Sequence, residues 1–197
     1  MRENKSFMKV TKFFFDVADC LVAALIIAAI LFTFILMKFE VKGDSMLPNL
    51  HNGDKLFVYH LLYTPQRGDI VTIDKPGALQ KNIVKRVIAV PGDKVKFDFE
   101  KGKVYVNGEE DKTVTNTPTN LKATWDVSKL ENEGVPEGYY LVLGDNRNNS
   151  TDSRSASVRL VSRSDIMGKA VCIYAPFDRF RMLLLGWFNK IEYSNSF

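Results

Sequence analysis

Three short segments of this 197-residue chain carry side chains that could perform covalent chemistry. The first, residues 43–48, reads Gly-Asp-Ser-Met-Leu-Pro and places Ser45 on an irregular turn between a glycine and a proline. A serine hydroxyl on such a turn can act as a nucleophile, while neighbouring backbone N–H groups stabilise a developing oxyanion. The same letters also suit an ordinary tight turn, so the chemistry depends on what the other segments bring.

The second segment, residues 82–93, reads Asn-Ile-Val-Lys-Arg-Val-Ile-Ala-Val-Pro-Gly-Asp. In a strand, alternate residues share a face, so Lys85 lies with Ile83 and other apolar residues while Arg86 points the opposite way. Burial on an apolar face lowers the pKa of a lysine, and its neutral amine can then take a proton from a hydroxyl. The alternative is a lysine whose stem covers apolar surface and whose head stays in water. Arg86 needs an acidic partner.

The third segment, residues 144–154, reads Gly-Asp-Asn-Arg-Asn-Asn-Ser-Thr-Asp-Ser-Arg between two apolar stretches. A loop of this composition forms hydrogen-bond networks and ion pairs. Ser150 could contact the lysine head, and Asp152 could pair with Arg86 or Arg154. A solvated loop is the alternative, since the aspartate spacing does not fit a calcium-binding EF-hand loop.

A long apolar segment precedes these three. Residues 20–37 contain no charge and follow an apolar stretch that begins at Phe13, which approaches the roughly 20 residues that cross a bilayer. The uncharged stretch exceeds the roughly 7–15 residues of the apolar core of a removable signal peptide, and no small-residue cleavage site precedes Lys38. Because it is apolar on every face, it does not suit a buried soluble helix. We therefore predict a transmembrane anchor at residues 15–38.

The charges around this anchor predict its orientation. Basic residues dominate before it, whereas charges of both signs follow it; the basic ones are Arg2, Lys5, Lys9 and Lys12. Positively charged flanks stay in the cytoplasm. We expect residues 1–14 to be cytoplasmic and residues 39–197 to form an extracytoplasmic domain in a single-pass protein of the cell membrane.

The extracytoplasmic part shows short strands separated by turn residues, with little helical periodicity. Strands are predicted at residues 54–59, 69–73, 83–90, 94–99, 103–106, 139–143 and 166–174. This pattern predicts a mostly β domain with a folded, barrel-like sheet. Residues 98–138 are polar and rich in turn residues, and we expect an inserted subdomain there. The apolar tail at 182–188 is too short to cross a membrane.

Composition narrows the function classes. The net charge of +4 is spread along the chain, and this does not indicate nucleic-acid binding. Cys20 and Cys172 are too far apart in the sequence to indicate a disulfide framework, and neither His51 nor His60 has a metal-ligand spacing. We expect no nucleic acid, no metal and no cofactor.

Taken in this order after one anchor, the three segments resemble the bacterial type I signal peptidases, the Ser/Lys leader peptidases, of the single-span Gram-positive type. The resemblance rests on Ser-Met-x-Pro at 45–48, Lys-Arg followed by Pro-Gly-Asp at 85–93, and Gly-Asp-Asn-Arg with Asn-Ser-x-Asp-Ser-Arg at 144–154. Residues 67–71 and 104–108 resemble further stretches of the family, so the similarity covers nearly the whole chain.

The resemblance implies a membrane-bound serine endopeptidase that removes N-terminal signal peptides from exported preproteins through an acyl-enzyme. It implies that Ser45 is the nucleophile and Lys85 the general base, with the Ser45 N–H as part of the oxyanion hole. It further implies that Ser150 orients the amine, and that Asp152 and Arg154 form an ion-pair network with Arg86.

The resemblance also implies how substrate binds. The signal peptide would add as an extended strand, and small residues before the cleavage site would enter shallow pockets. Those pockets would be lined by Phe39, Val41, Ile83 and Val84. The expected partners are preproteins with small residues at the cleavage site, and membrane lipid.

Three positions depart from the family pattern. Asn49 stands where threonine is usual and Asn148 where aspartate is usual, and both are interpreted as local polar substitutions. Gly43 cannot offer the side-chain hydroxyl that some relatives use in the oxyanion hole, so the second donor is not assigned. Ser-Ala-Ser at 155–157 also replaces an aromatic and glycine pattern.

Other functions remain compatible with the sequence. A relative dedicated to one substrate, such as a pilin or a sortase-locus protein, would share these segments. A membrane-tethered β domain that only binds peptides would not need a lysine on an apolar face. A self-cleaving Ser/Lys repressor needs a DNA-binding domain in place of the anchor. A Ser-His enzyme would use His51 or His60, but His51 lies six residues from Ser45 in a turn.

Overall fold

The computed structural model describes residues 2–113, 119 and 122–183, with side chains omitted for 2–10 and 31. It divides into two compact units, Met1–Met37 and Lys38–Phe197. Of the predicted apolar tail at 182–188, all but the first two residues lie outside the described part.

The first unit is one helix, α1 (Arg2–Ile35). Its segment Thr11–Ile35 has a mean hydropathy of 2.6 and none of it is buried inside the protein. Large apolar side chains such as Phe14 and Phe15 are 66% and 70% exposed. In length and composition this helix can cross a membrane. It ends three residues before the predicted end of the anchor, since a strand begins at Leu36.

The second unit is mostly β, and the predicted fold class is confirmed. Every predicted strand is present to within one residue at each end. The strands are β1 (Leu36–Glu40), which begins in the first unit, β2 (Lys55–Tyr59), β3 (Ile70–Ile73), β4 (Ile83–Ala89), β5 (Val95–Asp98), β6 (Lys103–Val106), β7 (Glu109–Glu110), β8 (Tyr139–Leu143), β9 (Val161–Ser162), β10 (Ile166–Ala175) and β11 (Arg181–Met182). A short helix, α2 (Lys129–Asn132), and 3₁₀ turns at Arg163–Asp165 and Phe177–Arg179 complete the described elements.

The larger sheet curls in the order β1-β2-β10-β3-β4-β8-β9, with β11 paired to β10. The pairs around β4 are antiparallel, and the register places Lys85 opposite Val71 and Arg86 opposite Leu143. Strand β4 is buried at every position except Arg86. It therefore lies inside the domain and holds its side chains in defined positions.

Two apolar clusters lie on opposite faces of β4 and β8. Val87 and Val142 belong to the first cluster. Ile88 and Leu141 belong to the second, which also contains Val104 from the smaller sheet. Since alternate side chains of a strand point to opposite faces, both faces of these two strands are covered. This explains why four of the seven residues of β4 are β-branched and why apolar residues do not alternate with polar ones along it.

The smaller sheet has the order β5-β6-β7. Its hairpin turns at Asn107-Gly108, where both residues have positive φ (53° and 86°) as a two-residue turn of the favoured type requires. This sheet occupies the start of the segment where an inserted subdomain was predicted, although β5 begins at Val95, before residue 98. The subdomain boundary at 98–138 stays a prediction.

Candidate active site

Ser45 and Lys85 meet, although 40 residues separate them. The Lys85 Nζ lies 2.7 Å from the Ser45 Oγ and 2.9 Å from the Val84 carbonyl oxygen, and it donates a hydrogen bond to each. Ser45 sits on the turn that follows β1, whereas Lys85 comes from the middle of β4. When the amine is neutral, the serine hydroxyl can donate to it across the same contact.

Burial sets the protonation of this lysine. Lys85 is only 3% exposed, and loss of hydration lowers its pKa from 10.5 to about 8. The carboxylates of Asp152 and Asp145 raise the pKa, whereas the positive charges of Lys81 and Arg154 lower it further. Near pH 8 a substantial fraction of the amine is neutral and can accept a proton.

The turn that holds Ser45, residues 43–50, is anchored by apolar side chains and backbone contacts. Met46 and Leu50 are 1% and 0% exposed. The Ser45 carbonyl accepts a hydrogen bond of 3.0 Å from the Asn146 backbone N–H. The Asn146 side chain also donates to the Asp44 carbonyl at 3.2 Å. The 144–154 loop thus holds the turn that carries Ser45 directly.

The oxyanion-hole expectation concerns backbone donors on this turn. Within the described residues, no acceptor is bonded to the Ser45 N–H, so this group is available to a substrate oxygen. The Gly43 N–H instead donates to the Asn52 side chain at 2.8 Å. Gly43 has φ +84°, a conformation that glycine adopts easily.

Ser150 lies beside the pair without a hydrogen bond to it. Its Oγ is buried and has no partner within the described residues. A Cβ on Gly144 would lie 2.2 Å from the Ser150 Oγ and 2.5 Å from the Ser45 carbonyl oxygen. Glycine at 144 therefore lets Ser150 and Ser45 approach each other. The orienting role of Ser150 stays a prediction.

Asp152 and Arg154 form a buried ion pair within the loop. The Arg154 Nε and Nη2 donate to the two Asp152 carboxylate oxygens at 2.9 and 2.7 Å. The Gly144 backbone N–H also donates to Asp152, at 3.0 Å. The side chains of the pair are 1% and 0% exposed, so it fixes the shape of the loop from inside.

Arg86 has a different partner from the predicted one. Its Nε and Nη2 donate to the Asp145 carboxylate at 2.7 and 2.6 Å, and its Nη1 donates to the Gly68 carbonyl at 2.7 Å. The predicted pairing with Asp152 is not formed, because Asp152 is held by Arg154. Asp145 is thus a site residue that sequence reasoning did not select. Strand register explains it, since Arg86 lies opposite Leu143, two residues before Asp145.

One cleft of about 790 Å³ contains both Ser45 and Lys85. It lies between the start of the second unit, residues 38–46, and residues 79–85, with residues 148–151 at its margin. All four predicted substrate-contact residues line it: Phe39, Val41, Ile83 and Val84. Three of these four are buried and Phe39 is half-buried, so little of each side chain is open to the cleft.

Neither histidine is bonded to Ser45 among the described residues. His51 contacts the Arg179 guanidinium through its Nδ1, and its backbone N–H donates to Asp54 at 2.8 Å. The part of the chain that the structure describes contains no group of three or more metal-ligating side chains placed to hold an ion.

This chain is similar in sequence to known proteins. The family described as signal peptidase, peptidase S26, matches residues 14–175. Signal peptidase I of Bacillus licheniformis is 33% identical over 193 residues, which cover 92% of this chain and 98% of that protein. Signal peptidase IB of Staphylococcus aureus is 35% identical over 80% of this chain and 87% of that protein. A crystal structure of a signal peptidase I from Enterococcus faecalis is 30% identical, covering 54% of this chain and 97% of that chain, with a TM-score of 0.41.

Proposed function

Because this chain belongs to the signal peptidase family, peptidase S26, we propose that it is a membrane-anchored serine endopeptidase that removes signal peptides from exported preproteins. The observation that carries this proposal is the 2.7 Å contact between the buried Lys85 amine and the Ser45 hydroxyl. A lysine with a lowered pKa beside a serine is the arrangement that a Ser/Lys hydrolase requires.

In the first half of the reaction, the neutral Lys85 amine takes the Ser45 proton as the Oγ attacks the scissile carbonyl carbon. The negative charge that forms on the carbonyl oxygen is stabilised by the Ser45 N–H. Lys85 then gives its proton to the leaving nitrogen, and the C–N bond breaks. The mature protein leaves with a free amine, and the signal peptide stays on Ser45 as an ester.

In the second half, a water molecule replaces the departed amine. Lys85, neutral again, takes a proton from this water as its oxygen attacks the ester carbonyl. Collapse of the second tetrahedral intermediate returns the proton to the Ser45 Oγ. The signal peptide is released with a new carboxylate, and both residues are restored.

Substrate binding follows from the walls of the cleft. We expect the end of the signal peptide to lie extended between Phe39 and Val41 on one side and Ile83 and Val84 on the other. Because these side chains are largely buried, they leave shallow apolar depressions rather than deep pockets. Such depressions accept alanine-sized side chains and exclude large ones, which suits small residues at the cleavage site.

The supporting residues act by holding these groups in place. The Arg86–Asp145 pair fixes β4 to the start of the loop, and the Asp152–Arg154 pair fixes the loop itself. Ser150 has a buried hydroxyl without a partner beside Ser45. We assign to it the orientation of the Lys85 amine during the reaction.

The anchor sets where the enzyme works. We infer that residues 1–14 are cytoplasmic, that the helix within 15–38 crosses the membrane, and that the catalytic domain faces the outside. The basic flank of the helix supports this orientation. Membrane lipid is then a constant partner of α1.

The test is cleavage of a preprotein by the full chain in detergent. Ser45→Ala and Lys85→Ala should each abolish cleavage, whereas His51→Ala and His60→Ala should retain it. Cleavage by Lys85→Ala at a rate close to the unsubstituted enzyme would rule out the dyad. Identifying the exported proteins that accumulate uncleaved on depletion separates a general peptidase, with many clients, from a dedicated one with a single client.

A further inference from the structure

Among the described residues, no strand pairs with the nucleophile turn, residues 43–50, so individual contacts determine where the Ser45 hydroxyl lies. Asn49 makes two of these contacts, one through its side chain and one through its backbone. We propose that Asn49 is a positioning residue for Ser45, which it holds at the correct distance from Lys85. This inference rests on the proposed function, because it assigns Asn49 to the same reaction.

The side chain of Asn49 reaches the buried ion pair beside the general base. Its Nδ2 donates to the Asp145 carboxylate at 2.8 Å, and the same carboxylate accepts two hydrogen bonds from Arg86. Asp145 is fully buried, and Arg86 is the residue that follows Lys85 in β4. Asp145 therefore links the nucleophile turn, through Asn49, to the strand that carries the base, through Arg86.

Asp145 is also linked to Ser45 through the backbone of the residue that follows it. Asp145 is followed by Asn146, whose backbone N–H donates to the Ser45 carbonyl at 3.0 Å. Asn49 and Ser45 thus both bind the 145–146 segment, one by its side chain and the other by its backbone. Loss of the Asn49 contact removes the hydrogen bond between the end of the turn and this loop.

The backbone of Asn49 is held from the opposite side. The Arg181 Nη2 donates to the Asn49 carbonyl at 2.8 Å, and Arg181 lies in β11, opposite Ile173 of β10. Two residues earlier, Arg179 forms an ion pair of 3.0 Å with Asp54, a buried residue just after the turn. The described end of the chain therefore holds the far side of the nucleophile turn.

A positioning role predicts a specific kinetic pattern. Displacement of a catalytic group by about 1 Å can lower a rate about 100-fold without affecting how substrate binds. Asn49→Ala, which removes the donor, should lower kcat about 10- to 100-fold while KM changes less than about 3-fold. Asn49→Thr, which replaces the amide donor with a hydroxyl donor, should recover most of kcat. Asn132→Ala, at an exposed asparagine of α2, is the matched control and should leave kcat and KM unchanged.

A second readout does not depend on catalysis. If Asn49 holds the turn to the loop, amide hydrogen exchange of Leu47, Leu50 and Asn146, whose backbone N–H groups are hydrogen-bonded, should become faster in Asn49→Ala and return in Asn49→Thr. The thermal midpoint of the whole protein should stay close to that of the unsubstituted chain. Should the unsubstituted enzyme cleave no preprotein, the proposed function fails while this exchange pattern still tests the positioning role.

Arg181 keeps the proposal testable even when Asn49→Ala does not fold. Arg181 is exposed, so Arg181→Ala is expected to fold and to lower kcat several-fold with KM unchanged. The proposal is overturned by kcat within 2-fold of the unsubstituted enzyme in both variants. It is also overturned by a kcat loss in Asn49→Ala that follows a lowered thermal midpoint and is not restored by threonine.

Discussion

Arg86 holds Asp145 through two parallel hydrogen bonds of 2.7 and 2.6 Å, directly beside Lys85 in β4. The aspartate is fully buried, and the arginine side chain is 13% exposed. A planar guanidinium that meets both carboxylate oxygens fixes direction as well as distance. The pair thus joins the strand of Lys85 to the loop that holds Ser45.

Removal of one partner of this pair should be costly. In Asp145→Ala the Arg86 charge stays largely buried without its partner, which predicts a loss of about 3–5 kcal/mol in the free energy of unfolding. Urea denaturation of the full chain in detergent measures this. Glu131→Ala breaks the exposed Lys96–Glu131 pair and serves as the control, for which no measurable change is expected. Equal losses of stability in the two variants would contradict the claim that the buried pair contributes more than the exposed one.

The pH dependence of cleavage should follow Lys85. Its pKa of about 8 lies below the ordinary value, and only the neutral amine accepts the serine proton. The rate kcat/KM should therefore rise through about pH 8 and level off above it, since the active form is the deprotonated one. A profile that rises near pH 6.5 and is flat at pH 8 would indicate a histidine base.

The same burial predicts that the base destabilises the fold. Below pH 8 the lysine is charged in both the folded and unfolded states, and the folded state carries the full desolvation cost. A shift from 10.5 to about 8 corresponds to about 3 kcal/mol. Lys85→Met should therefore be inactive yet more stable than the unsubstituted chain at pH 6–7.

This stability difference should also depend on pH. Between about pH 8 and 10.5 the unfolded state binds more protons at Lys85 than the folded state, so the stability of the unsubstituted chain rises with pH. The advantage of Lys85→Met should shrink across this window. Thermal unfolding of both proteins at several pH values measures this difference in stability. A difference that does not change with pH would contradict the lowered pKa of Lys85 as its cause.

Gly144 should tolerate no side chain. A Cβ there would lie 2.2 Å from the Ser150 Oγ and 2.5 Å from the Ser45 carbonyl oxygen, so one of these groups must move. Gly144→Ala is expected to lower kcat about 100-fold, since a displacement of about 1 Å suffices for such a loss. Asn132→Ala, at an exposed residue of α2, is the control and should leave kcat unchanged. Full activity of Gly144→Ala in a preprotein assay would exclude a tight approach at this point.

Local sequence patterns predicted the long strands because their signals are local. The Asn107-Gly108 turn is one example, since two positive φ angles require residues of that kind. The two-residue strands β7, β9 and β11 carry no such signal and exist only because a partner lies beside them. Strand β1 was missed for a related reason, since Leu36 and Met37 continue the apolar composition of the anchor and only the pairing in the sheet makes Leu36–Glu40 a strand.

In the site, too, some features follow from local sequence and others only from the tertiary structure. From residue types and alternation alone, Ser45, Lys85 and the loop at 144–154 could be selected, because a nucleophile, an amine on an apolar face and a polar loop are local features. Local patterns could not show which carboxylate binds Arg86. Two aspartates seven residues apart were compatible with the sequence, and the register of β4 against β8 decided for Asp145. The 2.7 Å contact of Ser45 with Lys85 likewise exists only after the sheet has curled and brought a turn and a strand 40 residues apart to one cleft.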